Sequence, residues 1–240
     1  MWYRRTGFVV FLFLAPALLF FIMYIIAPIP VSVFYSLHNW DGIGTRTFIG
    51  LRNWVELMKD PIFWRALGNN ITLVVISIGV QLPIGIILAV LLASGKRFTR
   101  VLKTVYFLPY LMSSVAIGML WRYIYEPNFG LLNMFLEAIG KYHWIQDWLG
   151  DPKVVLYSVI NAVNWQFIPF YMILFMAALV GIPEELYEAA KIDGASGWSA
   201  FWRITLPLLW PTIANGAILS LTGSLKYFDL IHVLSGGGPN

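Results

Sequence analysis

Two sets of residues in this 240-residue chain have types and spacings suited to more than packing. The first is Glu188, Ala189 and Ala190, followed by Gly194, Ile204, Leu206 and Pro207. It is a polar, helix-forming stretch between two long apolar runs, so it cannot lie within a bilayer. Its chemistry is that of contact. Pro183 suits a first helical turn, and Glu184 and Glu185 behind it complement the helix dipole. Leu186, Tyr187 and Ala190 fall on one side, with Ala189 adjoining. Gly194 and Gly197 are expected to break the helix, and a second helix to run from near Ser199 into Pro207. The product is two short helices with a bend, the first free to lie across a partner surface.

The second set is Gln166, Phe170, Ser220, Ser224 and Tyr227, hydrogen-bonding and aromatic side chains in otherwise apolar surroundings. Gln166 and Phe170 share a face at i, i+4. At 1.5 Å per residue from Val154, Gln166 lies about 18 Å along its helix, near mid-membrane depth. Ser220, Ser224 and Tyr227 follow i, i+4, i+7. Hydroxyls, amides and flat rings recognise neutral polyhydroxylated solutes, but polar residues in membrane helices also bond to neighbouring helices. Both roles stand at this level. Lys226 and Asp229, at i, i+3, are expected to pair near the outer interface.

Other chemistry is thin. The chain has no cysteine, and His38, His143 and His232 lack metal-ligand spacing. No glycine-rich phosphate loop follows a strand, so no cofactor is expected and any ATP and Mg would bind a separate subunit. Asp147 and Asp151 have no nucleophile or base nearby in the sequence. A membrane-bound sugar transferase, the alternative of another class, would need a carboxylate or metal cluster at the interface, and none is legible.

Hydrophobic residues make up 59% of the chain and charged residues 12%. A soluble domain is about a quarter charged. With mean hydropathy +0.73 the chain reads as a polytopic membrane protein, an all-α helical bundle in the lipid bilayer. Its net charge of +4 comes from dispersed Lys and Arg with no basic stripe, so no nucleic acid partner is implied. A bilayer core of about 30 Å takes roughly 20 apolar residues. Five spans are expected at about 8–35, 66–95, 104–125, 154–182 and 205–227, within a single transmembrane domain over 1–240. The link Lys96, Arg97, Arg100, Lys103 carries four bases and no acid, which places it in the cytoplasm. Alternation then puts the N-terminus, with Arg4 and Arg5, inside. The segment 184–206 is also inside, and loops 39–65 and 122–153 are outside. An interfacial helix is expected in 39–65, where Pro61-Ile62-Phe63-Trp64 follows a polar stretch. The charge-free runs argue against a proton-driven carrier and for a neutral solute.

The pattern Glu188-Ala189-Ala190, Gly194, Ile204, Leu206, Pro207 resembles the EAA loop of ABC-transporter permeases, with every fixed position filled. Phe107-Leu108-Pro109, Gly130-Leu131-Leu132-Asn133 and Leu234-Ser235-Gly236-Gly237-Gly238-Pro239 are similar to landmarks of the carbohydrate type, the lactose-, glycerol-phosphate- and maltose-type first permeases. That resemblance covers essentially the whole chain. It implies a multi-pass permease of a prokaryotic inner membrane, paired with a second permease subunit as a heterodimer. It also implies two ATPase subunits docked on the coupling loop at 184–206 and an extracytoplasmic solute-binding protein. Sugar or polyol cargo is implied, with glycerol phosphate as the alternative. Gln166, Phe170, Ser220, Ser224 and Tyr227 are similar in placement to sugar-contacting positions of maltose-type members. Family members continue into a sixth span, so one is expected beyond Asn240.

Overall fold

The computed structural model describes residues 2–93 and 97–238. Lys96 of the basic link and Pro239 lie outside the described residues, as do the side chains of Arg4, Arg5 and Arg97. The chain divides into two compact units, Met1–Leu67 and Gly68–Asn240.

In the first unit, α1 (Trp2–Phe21) leads through a π turn, Ile22–Ile26, into α2 (Pro28–Ser36). Proline cannot donate to the helix ladder, and its ring clashes with the carbonyl four residues back. Here the wider turn absorbs Pro28: Ala27 N donates to Ile22 O at 2.7 Å. Gly7–Ser36 is long and apolar enough to cross a membrane. Strands β1 (His38–Asn39) and β2 (Thr47–Phe48) then pair antiparallel. They are joined by a loop in which Gly42 and Gly44 take φ of 92° and 86°. After them comes α3 (Arg52–Lys59). The short helix of loop 39–65 thus forms before Pro61–Trp64 and not at it. Pro61 instead opens the next span, where its missing N–H costs nothing.

That span, α4 (Pro61–Leu92), continues through the second unit. There follow α5 (Arg97–Leu111), α6 (Ser114–Ile124), α7 (Leu131–Ala138) and α8 (Val155–Val180). The last four are α9 (Glu184–Ile192), α10 (Gly197–Ala200), α11 (Leu206–Ser224) and α12 (Asp229–Ser235). Four described segments are long and apolar enough to span a membrane, and α5 with α6 makes a fifth if the bent pair is one span.

Helix α8 is central to this unit. One core joins Leu82, Ile86 and Ala89 of α4 to Tyr171 and Phe175 of α8 and Leu209 of α11. Another joins Ile117 of α6 and Val159, Ala162 and Val163 of α8 to Leu230 and Leu234 of α12. Close approach of α4 to α8 depends on Gly85. A Cβ there would lie 2.8 Å from Tyr171 Cβ and 3.2 Å from the Met172 backbone nitrogen.

Three expectations differ from this structure. The third span is not one helix over 104–125: it bends by 99° between Leu111 and Ser114. Pro109 denies the ladder one donor, and Ser113 caps a new helix by accepting from Ala116 N at 3.2 Å. The fifth span starts earlier than 205, because α10, a π turn and α11 run on from Gly197 to Ser224. Gly197 therefore opens a helix instead of breaking one. That span also ends at Ser224, so Tyr227 lies beyond the helix and the i+7 relation to Ser220 does not hold.

Candidate functional site

The segment 183–207 is built by four local devices. Pro183 enters with ψ 133°, and Glu184 and Glu185 occupy the first turn of α9. At its far end Gly194 N donates to Lys191 O at 3.0 Å and Ala195 N to Ala190 O at 2.8 Å. This pair of bonds needs a left-handed residue between them, and Gly194 supplies it at φ 76°. Ser196 then caps α10, accepting from Ser199 N at 3.2 Å. A π turn over Phe201–Thr205 precedes Pro207, with Leu206 N donating to Phe201 O. It relieves the same proline clash that the turn before Pro28 relieves.

Of the loop residues, Glu188, Ala189, Gly194 and Pro207 are exposed, and Ala190, Ile204 and Leu206 are half-buried. The expected face is divided. Tyr187 and Ala190 turn inward, while Leu186 and Ala189 turn outward with Ile192, which is 87% exposed. A contact that spacing did not disclose joins the two ends of the segment: Tyr187 OH lies 2.9 Å from Oγ1 of the buried Thr205. Beside it, Ala190, Ala195 and Ala200 border a hollow of about 400 Å³ with Val90 and Leu179. Small side chains there leave space under α9, and the Tyr187–Thr205 bond ties α9 to the base of α11.

The pathway candidates sit among the span contacts. Gln166 is buried and donates from Nε2 to Met112 O at 3.3 Å, in the break of the bent span; its Oε1 has no protein partner. Met112 is freed by the break, so this bond meets a carbonyl the helix no longer uses. Ser220 is buried and donates to Gln81 Oε1 at 3.1 Å. Gln81 in turn donates to Asn164 Oδ1 at 3.0 Å. Three helices, α4, α8 and α11, thus share one buried polar seam. Ser224 Oγ is buried without a hydrogen-bond partner. Phe170 stacks on Tyr110 at 5.3 Å, and Tyr227 meets Phe167 at 5.0 Å, so the rings of Tyr110, Phe167, Phe170 and Tyr227 form a connected group. Lys226 and Asp229 form no ion pair. The ion pair recorded among the described residues is Arg52–Glu56. The turn at 225–228 interrupts the helix that would have set them one turn apart.

Two further motifs prove to be architectural. A Cβ at Gly130 would lie within 3 Å of the backbone of Glu126 and Ile124. Asn133 donates to Pro127 O and Gln146 O, both at 3.0 Å, and accepts from Trp148 Nε1 at 2.8 Å. One amide thereby orders loop 126–148. Gly236, at φ 62°, caps α12. Asp147 and Asp151 accept backbone N–H groups of their own turns, Gly150 N at 2.8 Å and Lys153 N at 2.8 Å.

Several apolar helices long enough to cross a membrane, two of them joined by a short capped helix, make this a polytopic membrane protein by length and composition. Residues 81–239 match the family described as binding-protein-dependent transport system inner membrane component, and the chain belongs to that family. It is 40% identical over 232 residues to "Probable ABC transporter permease protein YurN" of Bacillus subtilis, covering 95% of this chain and 79% of that one. The trehalose/maltose transport system permease protein MalF of Thermococcus litoralis is 32% identical, with 95% and 77% covered. The lactose transport system permease protein LacF of Rhizobium radiobacter is 35% identical, with 95% and 77% covered. A bacterial ABC transporter involved in import of the acidic polysaccharide alginate superposes with TM-score 0.78 at 26% identity, over 96% of this chain and 81% of that one. The alginate transporter in complex with its pentasaccharide-bound periplasmic protein gives 0.79 at 25% identity, with 98% and 82% covered. The chain is thus a multi-pass inner-membrane permease subunit of a binding-protein-dependent ABC transporter, and as such it is not itself an enzyme.

Proposed function

We propose that this permease serves an ATP-driven importer for a sugar or related polyol, and that α9 is its coupling helix. In this reading the N-terminus and segment 184–206 face the cytoplasm. A second, different permease completes the pathway, two ATPase subunits bind below, and a solute-binding protein delivers cargo from outside. The observation that carries the proposal is the mounting of α9: exposed along Glu188, Ala189 and Ile192, closed by Gly194, and tied through Tyr187 to Thr205. A pull on α9 would be passed to the base of α11 and on to the polar seam at Ser220. ATPase closure would move α9, and the spans would rock between inward and outward openings.

Cargo is proposed to pass Gln166, Phe170, Ser220, Ser224 and Tyr227. Gln166 Oε1 and Ser224 Oγ keep unused hydrogen-bonding capacity, and Phe170 and Tyr227 offer ring faces. Ser220 already serves Gln81, so its contribution would require that bond to open. The sugars in the names of MalF and LacF favour a carbohydrate. The solved alginate transporters import an acidic polysaccharide; for a charged cargo of that kind, or for the glycerol-phosphate alternative, the cationic contacts would come from the partner permease. The test is uptake by the complete complex in vesicles with its binding protein, comparing Tyr227→Ala and Gln166→Ala with wild type. Loss of one hydrogen bond to a neutral group weakens affinity by roughly three- to tenfold. Unchanged uptake in both variants, with the complex intact, would place the pathway elsewhere.

A further inference from the structure

Helix α3 carries an apolar stripe that its own unit does not cover. Leu51, Trp54, Val55 and Met58 follow i, i+3, i+4, i+7 and are 67%, 45%, 51% and 50% exposed. The remaining circumference divides in two. Arg52 and Glu56, paired at 2.8 Å, and Lys59 form a charged flank. Asn53 and Leu57 face the protein, where Asn53 Nδ2 donates to Ser36 O and His38 O, both at 3.0 Å. Trp54 Nε1 adds a bond to Ser36 Oγ at 3.2 Å.

Ser36 is the last residue of the membrane-spanning segment Gly7–Ser36. Three hydrogen bonds therefore fix α3 at the depth where that span leaves the hydrocarbon. Its other end is equally constrained, because Asp60 alone separates Lys59 from Pro61, the first residue of α4. A short amphipathic helix held at this depth has its apolar stripe at the boundary of headgroups and acyl chains, with charges toward water. Trp and Arg are favoured there, since each joins an apolar body to a polar tip.

We infer that α3 is an interfacial helix, seated in the lipid headgroup–acyl boundary by Leu51, Trp54, Val55 and Met58, and that it anchors the end of the first span. The inference rests on the chain's membership of a multi-pass permease family, not on the direction of the N-terminus or on the cargo. The test uses the complete transporter in nanodiscs of phosphatidylethanolamine and phosphatidylglycerol, with cysteine-free partner subunits. This chain has no cysteine to remove. Spin labels on Val55→Cys, Met58→Cys and Glu56→Cys are relaxed by oxygen, which partitions into lipid, and by a water-soluble nickel chelate. Labels at 55 and 58 should respond more to oxygen, and the label at 56 more to nickel. Equal nickel response at all three positions would leave the stripe in water and overturn the inference. Protection of 55 and 58 from both reagents would also overturn it, because protein would then cover the stripe.

Discussion

Gly194 shows how much one residue carries. Its φ of 76° is the left-handed region, where a side chain adds about 1–2 kcal/mol of strain. Gly194→Ala should therefore loosen the end of α9 and lower ATPase retention on the purified permease by roughly tenfold, on the same strain scale. Gly194→Asn, which tolerates this conformation, should lose far less; equal losses would show that the cap geometry is not what matters. Gln81 is a second case. It bonds both Asn164 and Ser220, whereas Ser224 Oγ bonds nothing. Interhelical hydrogen bonds in membranes are worth about 0.6 kcal/mol on average. A double-mutant cycle of Gln81→Ala and Ser220→Ala, read by unfolding in mild detergent, should give a coupling energy of about that size. Ser224→Ala should leave stability unchanged and alter only uptake. A clear loss of stability in Ser224→Ala would make it a packing residue.

At the scale of elements, α8 holds the bundle together, and its seam with α4 leaves no room at Gly85. The nearest groups to a new Cβ include the Met172 backbone, which cannot swing aside as a flexible side-chain tip would. Gly85→Ala should therefore destabilise the purified complex by about 1–3 kcal/mol, the range for overpacking. Gly68→Ala, with open space around it, should be neutral or better. Matching thermal unfolding midpoints for the two variants would contradict this packing. The long helices over Gly7–Ser36, Pro61–Leu92 and Val155–Val180 were legible in the sequence because each contains a long run without charge, a signal that needs only local composition. The 99° bend was not, although both its causes, Pro109 and Ser113, were visible. Proline is common within membrane helices, so it does not by itself distinguish a kink from a break. The seam was hidden for another reason. Gln81 is a lone amide in an apolar run, and its partners lie 83 and 139 residues away. No periodicity within one helix reports such pairings. Tyr187 and Thr205, 18 residues apart across two turns, were out of reach in the same way. Ala190 and Gly194 stood out only because the motif's spacing was recognisable.

For the whole molecule, orientation and coupling stand together. Loop 122–153 should face outward and 184–206 inward, so a cysteine replacing exposed Lys141 should react with an impermeant thiol reagent in whole cells. A cysteine replacing Ser199 should not, and the reverse pattern would invert the topology. In the proposed mechanism, α9 transmits ATPase motion to the spans through a fixed shape and an exposed contact face. ATP hydrolysis and solute uptake measured together, in vesicles holding the complete transporter and its binding protein, report that coupling. Gly194→Pro removes the capping N–H bond to Lys191 and forbids the positive φ, and Glu188→Lys reverses a charge on the exposed face. Each variant should insert and assemble its spans but lose uptake out of proportion to hydrolysis. Wild-type uptake per ATP in both variants, at normal abundance, would contradict that mechanism.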